Sequence, residues 1–234
     1  MPRVSTLPAM PPDLRLRQPQ NPPGTSETAS AAPGAQEAQS VDPAFWRIAS
    51  FLNSYDGGDC FLIIPLKIAE GDTRIEVYGG NRAPFTALDG EFARENGFRA
   101  AMSWHQITEA QCGAIDFVRR LRNQSGTAGR LDIRTDTLAS GPVVSGTVGG
   151  FGGENLELLL VGADGRVEKL RSLLRPSGQT AQPQLLVAVV SDLPIEGLKS
   201  GVLDKADRLF GMISAETQQT GNIVNGAVKY LKLD

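Results

Sequence analysis

Between positions 43 and 123 the spacing of apolar residues changes several times between a helical and a strand period. This pattern predicts six elements in the order α-β-β-α-β-α. The first helix begins at Asp42-Pro43, because aspartate accepts hydrogen bonds from free N–H groups and proline suits the first helical position. The last helix begins at Thr108, and Gln111 three residues later completes a capping box. This pattern predicts a small two-layer α+β module.

The middle of this module contains a predicted hairpin. Its strands cover 61–68 and 73–78, with Glu76 on the outward face, and Pro65 marks the first strand as an edge or a bulge. A helix that ends at Asn96-Gly97 and a third strand at 98–107 complete the six elements.

From position 130 the hydrophobic period changes to two. Short strands separated by turns, among them the hairpin signal Asp164-Gly165, predict a β-sandwich-like module over 130–195. Residues 200–234 return to helical spacing and predict a C-terminal helical segment. An apolar stripe on this segment is a candidate interaction surface that packs on the body or on a partner, and its members are Leu203, Leu209, Phe210 and Ile213.

The first 42 residues have a different composition. Eight of the 15 prolines precede Val41, and residues 1–42 contain no Phe, Tyr or Trp. Such a segment buries too little apolar area to offset its ordering entropy, so we expect a disordered tail. Proline and aspartate interrupt any apolar run near the start, so no signal peptide is predicted, which favours the cytoplasm.

Composition excludes several classes of function. A net charge of −3 argues against nucleic acid as a partner, because phosphate binding needs a basic surface. Two cysteines and one histidine are too few for a Cys/His zinc site, and no apolar run is long enough to span a membrane. No cofactor motif is present, and no small-molecule ligand can be named. A protein partner is the expectation that remains.

The motifs of catalysis are incomplete. The glycines at 149–153 fail the dinucleotide-binding spacing because Asn155 occupies the last glycine position, and no kinase motif is present. Cys112 has a single histidine near it in sequence, His105, and lies on the apolar face of its helix, where a thiol is usually inert. We therefore expect no enzyme, with a degenerate cysteine hydrolase as the weakest alternative.

Several segments carry a family resemblance. They are Tyr55–Phe61 (YDGGDCF), Asn96-Gly97-Phe98, Ala110-Gln111-Cys112, and the strand Leu156–Val161 before Asp164-Gly165. In this order they resemble the non-catalytic C-terminal region of rhizobial-type bacterial serine/threonine protein kinases and of caspase-like proteins. The resemblance implies an accessory module for sensing or protein binding in signalling, located in the periplasm. The alternative is a structural subunit of a cell-envelope or secretion assembly that docks through the C-terminal helix.

The two cysteines both belong to segments that carry this resemblance, which makes Cys60 and Cys112 a candidate disulfide. A strand and a helix of a two-layer module can approach closely enough for such a bond. Two buried free thiols in a cytoplasmic protein are the alternative.

Overall fold

The computed structural model describes residues 42–125, 130–138, 141–150, 153–170, 183–199 and 204–231. The tail predicted to be disordered lies outside these ranges up to Val41, and so does Leu203 of the predicted interaction stripe.

The first half has the predicted order of elements. They are α1 (Pro43–Ser54), β1 (Phe61–Lys67), β2 (Arg74–Gly79), α2 (Arg82–Asn96), β3 (Ala101–Gln106) and α3 (Cys112–Ser125). Asp42 caps α1 by accepting the Ala44 N–H at 2.9 Å, and Gly97 ends α2 with φ of 77°. Gln111, in the short 3₁₀ turn before α3, accepts the Thr108 N–H at 3.0 Å, as the capping box predicts. The α+β class is confirmed.

These strands form a three-stranded sheet in the order β1-β2-β3. β1 and β2 are antiparallel, whereas β3 runs parallel to β2 because α2 provides the crossover between them. β1 therefore lies at an edge, with a register shift between Pro65 and Lys67, as proline in the strand predicts.

Both faces of this sheet are covered. Phe61, Ile75 and Val77 pack with α1 and α2 on one face, while Leu62 and Tyr78 belong to a larger core on the other. The prediction that Glu76 faces outward is wrong, since this residue is only 8% exposed. The polar alternation along β2 gave no sign that a lysine distant in sequence would cover the second face.

The second half contains six strands and one helix among the described residues. They are β4 (Arg130–Leu138), β5 (Gly141–Gly149), β6 (Asn155–Val161), β7 (Val167–Lys169), β8 (Gln184–Ser191), α4 (Ala206–Thr220) and β9 (Val224–Leu231). β4 and β5 form a hairpin, and the others form an antiparallel sheet in the order β7-β6-β8-β9. Leu131 of the hairpin packs on Ala188 and Ala227 of that sheet. The opposite face shares its core with α3 and α4, so helices take the place of a full second sheet of the expected β-sandwich-like module.

The prediction that residues 200–234 form a helical segment is wrong in its second part. Gly221, with φ of 67°, ends α4, and Val224–Leu231 is a strand. Apolar residues in this segment fit helical spacing, but β-branched and aromatic residues favour a strand, and the long-range pairing with β8 decides between the two.

One core extends across both halves of the chain. α3, from the first half, packs on β9 and α4 of the second, and Val41–Asp234 forms one compact unit. Gly226 of β9 permits this contact, because a Cβ there would lie 2.9 Å from Leu121 Cδ1. The largest core cluster therefore joins residues of the predicted modules 43–123 and 130–195, next to a smaller cluster that belongs to the first half alone.

Candidate functional site

The YDGGDCF loop leads from α1 into β1 and is joined covalently to α3. Cys60 and Cys112 form a disulfide across 52 residues, with their Cα atoms 4.9 Å apart. Cys60 has φ of 58°, the one positive value outside glycine among the described residues. Both cysteines of the candidate pair are thus brought together, and neither is a free thiol.

Polar contacts hold the same loop against α3. Arg119 Nη1 donates to the Gly58 carbonyl at 2.7 Å, and Asp116 Oδ1 accepts the Cys60 N–H at 3.1 Å. The Arg119 Nη2 and Asp116 Oδ1 atoms lie 3.1 Å apart, so the guanidinium is neutralised locally. Arg119 thus fastens the loop to α3.

A groove of about 910 Å³ runs beside β1. Its three walls are the outer face of α1 with the loop that follows it, strand β1, and the second half of α3. The residues that carry the argument below are Phe45 and Trp46 from α1, Phe61 and Ile63 from β1, and Arg122 from α3. We call this feature the β1 groove.

The α1 wall of the β1 groove is aromatic and unusually open. Trp46 is 61% exposed, although tryptophan normally covers most of its apolar surface. Its ring stands edge-on to Phe45, with centroids 5.7 Å apart. An exposed tryptophan with a second aromatic ring against it, at the rim of a groove, is typical of a binding surface.

The α3 wall contributes a positive charge that has no counter-charge among the described residues. Arg122 is partly buried, and burial lowers the pKa of its guanidinium, with Tyr78 nearby acting in the opposite direction. No carboxylate of a described residue lies within 4.0 Å of it, in contrast to Arg119 with Asp116. Burying a charge without a counter-charge is costly, so Arg122 is suited to receive an anion from a ligand.

A second polar cluster is formed by side chains of β2, β3 and β9. Tyr78 Oη donates to Glu76 Oε2 at 2.9 Å, and Lys229 Nζ of β9 forms an ion pair with Glu76 Oε1. His105 Nε2 lies 3.9 Å from the same oxygen, and Tyr230 stacks on the imidazole with centroids 4.7 Å apart. We call these five residues the Glu76 cluster.

Burial shifts the pKa values of two members of the Glu76 cluster. Burial lowers the pKa of His105, while Glu76 acts to raise it and Lys229 to lower it. The Nε2 atom of His105 is buried and has no hydrogen-bond partner among the described residues. Burial also raises the pKa of Tyr78 far above its usual value of 10.0. A disulfide sulfur is not a thiolate, so the oxidised chain offers His105 no cysteine nucleophile.

The predicted interaction stripe is not a surface. Leu209, Phe210 and Ile213 are 1%, 0% and 0% exposed and belong to the main core. The ring of Phe210 lies 4.9 Å from that of Phe117 on α3. These three residues therefore pack on the body, one of the two placements predicted for the stripe, and Leu203 lies outside the described residues.

The β1 groove was missed at the level of sequence because its walls come from three separate elements. Trp46 gave one signal, since it lies beside the buried stripe of α1 rather than in it. Arg122 gave none, because an arginine at that point of an amphipathic helix is compatible with either face.

None of the helices in the described ranges has the length and apolar character needed to cross a membrane. Comparison of the chain with protein-family models, with curated proteins and with solved structures finds no match in any of the three.

Proposed function

We propose that this chain is a non-enzymatic protein-binding module and that its partner binds in the β1 groove. The observation that carries the proposal is the combination of an open strand edge, the exposed Trp46 and the unpaired Arg122 around one groove. Apolar anchors with a few polar groups are the usual composition of a protein-recognition site, in which Trp and Arg contribute most of the binding energy.

The chemistry of the groove favours binding over catalysis. Asp56 is the one carboxylate among its described lining residues, and its Oδ1 atom accepts the Gly58 N–H at 2.9 Å. That carboxylate is engaged in shaping the loop. The accessory role that the family resemblance implies is consistent with this lining, and we extend it to this chain as part of the proposal.

The disulfide supports an oxidising compartment as the place of action. Cytosolic thiols are kept reduced, whereas periplasmic and secreted proteins keep disulfides. Together with the resemblance to periplasmic accessory regions, the Cys60–Cys112 bond favours the periplasm over the cytoplasm.

Site-specific photo-crosslinking in the native cell tests the proposal. A benzophenone amino acid at position 46 samples the rim of the β1 groove, and the same group at Met212 on α4, which is 45% exposed, is the matched control. We expect a discrete protein adduct from position 46 and none from position 212. Absence of adducts from position 46, or equal adducts from both positions, would contradict the proposal.

A further inference from the structure

We infer that the partner enters the β1 groove as an extended segment that adds a fourth strand to β1 and places an Asp or Glu side chain on Arg122. The inference rests on the proposed function and adds the conformation and the chemistry of the ligand. Three features carry it: the open edge of β1, the unpaired guanidinium and the different character of the two walls.

The first feature is the open edge. β1 pairs with β2 on one side, and no described strand pairs with its other side, where the β1 groove lies. An edge strand turns every second N–H and C=O away from its neighbour, and these groups form a template for another strand. At about 3.3 Å per residue, the seven residues of Phe61–Lys67 match an extended segment of similar length. Pro65 has no N–H and restricts the full hydrogen-bond ladder to the first part of β1.

The second feature is charge complementarity. Of the two arginines in the groove lining, Arg119 already has Asp116, whereas Arg122 has no carboxylate among the described residues. A guanidinium prefers a carboxylate because the two form paired, charge-assisted hydrogen bonds. An acidic side chain from the ligand would supply the counter-charge that none of the described residues provides.

The third feature is the alternation of the two walls. Phe61 packs toward α1 and α2, whereas Leu62, the next residue, belongs to the core that includes α3. A strand added beside β1 repeats this alternation, since successive side chains point to opposite faces. Its residues would therefore face, in turn, the aromatic α1 wall and the α3 wall with Arg122. The expected ligand pattern is apolar, acidic, apolar over three consecutive residues.

A displayed library of random nine-residue peptides tests the chemistry. Selection on the oxidised chain should enrich sequences with an acidic residue between two apolar ones. Selection on Arg122→Gln should lose the acidic preference, while Arg120→Gln, which removes an exposed arginine from the same helix, should retain it. Arg122→Lys preserves the charge and should retain the preference in weaker form. Thermal melting of each variant confirms that it is folded.

A selected peptide then provides a quantitative measurement. Replacing its acidic residue by the matching amide should weaken binding to the wild-type chain at least about tenfold, and should change binding to Arg122→Gln little. Enriched peptides without an acidic preference would overturn the inference and leave the binding function standing. A library that yields no binder overturns the inference, whereas the proposed function is decided by the crosslinking at position 46.

N-methylation of the selected peptide tests strand addition. Two variants of the peptide carry methyl groups on alternate backbone nitrogens, one on the odd and one on the even positions. The variant whose methylated nitrogens face β1 should lose binding, and the other variant should bind almost as well as the unmethylated peptide. Equal binding of both variants would show that side chains alone hold the peptide and would overturn the added strand.

Discussion

The positive φ of Cys60 shows how a single residue can be held in a conformation that it rarely adopts. Its N–H donates to Asp116 Oδ1, its sulfur is bonded to that of Cys112, and the carbonyl of Gly58, two residues earlier, accepts a hydrogen bond from Arg119. Non-glycine residues in the left-handed region cost roughly 1 kcal/mol or more, so the cross-link and the hydrogen bond must offset that cost.

Removal of the disulfide should therefore have a large effect. The double variant Cys60→Ala/Cys112→Ala should lower the free energy of unfolding by about 4 kcal/mol, the value that chain entropy predicts for a loop of this size. Urea unfolding of the oxidised wild type and the variant measures the difference. A loss below about 1 kcal/mol would show that the bond constrains the unfolded chain little.

The two glycines of the loop provide a matched pair of substitutions. A Cβ at Gly57 would lie 2.0 Å from Phe61 Cδ1, whereas Gly58, with φ of 83°, has no atom within 4 Å of such a Cβ. Gly57→Ala should therefore cost about 2–3 kcal/mol through displacement of a buried ring. Gly58→Ala should cost about 1 kcal/mol through backbone strain alone. Urea unfolding measures the loss of unfolding free energy in both variants. A larger loss for Gly58→Ala than for Gly57→Ala would contradict the prediction.

His105 links stability to pH. Since burial lowers its pKa in the folded chain, the unfolded chain takes up the proton first as the pH falls below 6.5. The contribution of His105 to stability is thus complete above pH 6.5 and declines as the pH falls toward the lowered pKa. Between pH 7 and 5, wild-type protein should lose more unfolding free energy than His105→Gln. If the unfolding free energy of both proteins fell equally with pH, His105 would not be the source of the pH dependence.

At the level of elements, α4 turns its apolar stripe into the core rather than toward a partner. Phe210→Ala should lower the free energy of unfolding by about 3–5 kcal/mol, because the ring is fully buried against Phe117. Met212→Ala, on the open face of the same helix, should change it by less than about 1 kcal/mol. Denaturant unfolding measures the free energy of unfolding of both variants. A similar small decrease in both would show that the stripe lies at a surface.

Elements with local signals were predictable from sequence. The Asp42 cap, the Gly97 end of α2 and the Asp164-Gly165 turn all depend on neighbours a few residues away. β9 was not predictable in this way, because its strand character is decided by pairing with β8 across the loop and helix between them. The same holds for Glu76, whose partner Lys229 is 153 residues away.

In the candidate site, too, one part was predictable from short segments of sequence and another part depends on long-range assembly. The cysteine pair was predicted because Cys60 and Cys112 lie in two of the segments that carry the resemblance, YDGGDCF and AQC. The β1 groove needs α1, β1 and α3 to be assembled before Trp46 and Arg122 lie around one space. No spacing along the chain reports that assembly.

At the scale of the whole molecule, the shared core makes the two halves dependent on each other. A chain limited to residues 42–125 would expose the face of α3 that packs on β9 and α4, including Ile115, Val118 and Leu121. We expect this fragment to lack a cooperative thermal transition, whereas residues 42–234 should unfold in one step. Circular dichroism during heating distinguishes the two, and a cooperative melt of the fragment would show that the first half is a domain.

The position of β9 in the fold also sets an order of events during synthesis. Cys60, Cys112 and all of α3 leave the ribosome before the strand that covers them, and the roughly one hundred intervening residues take on the order of ten seconds to make. Throughout that interval the inner face of α3 is bare and Glu76 lacks its lysine. Where thiols oxidise during export, the Cys60–Cys112 bond can close first and keep the nascent β1 and α3 together until β9 arrives.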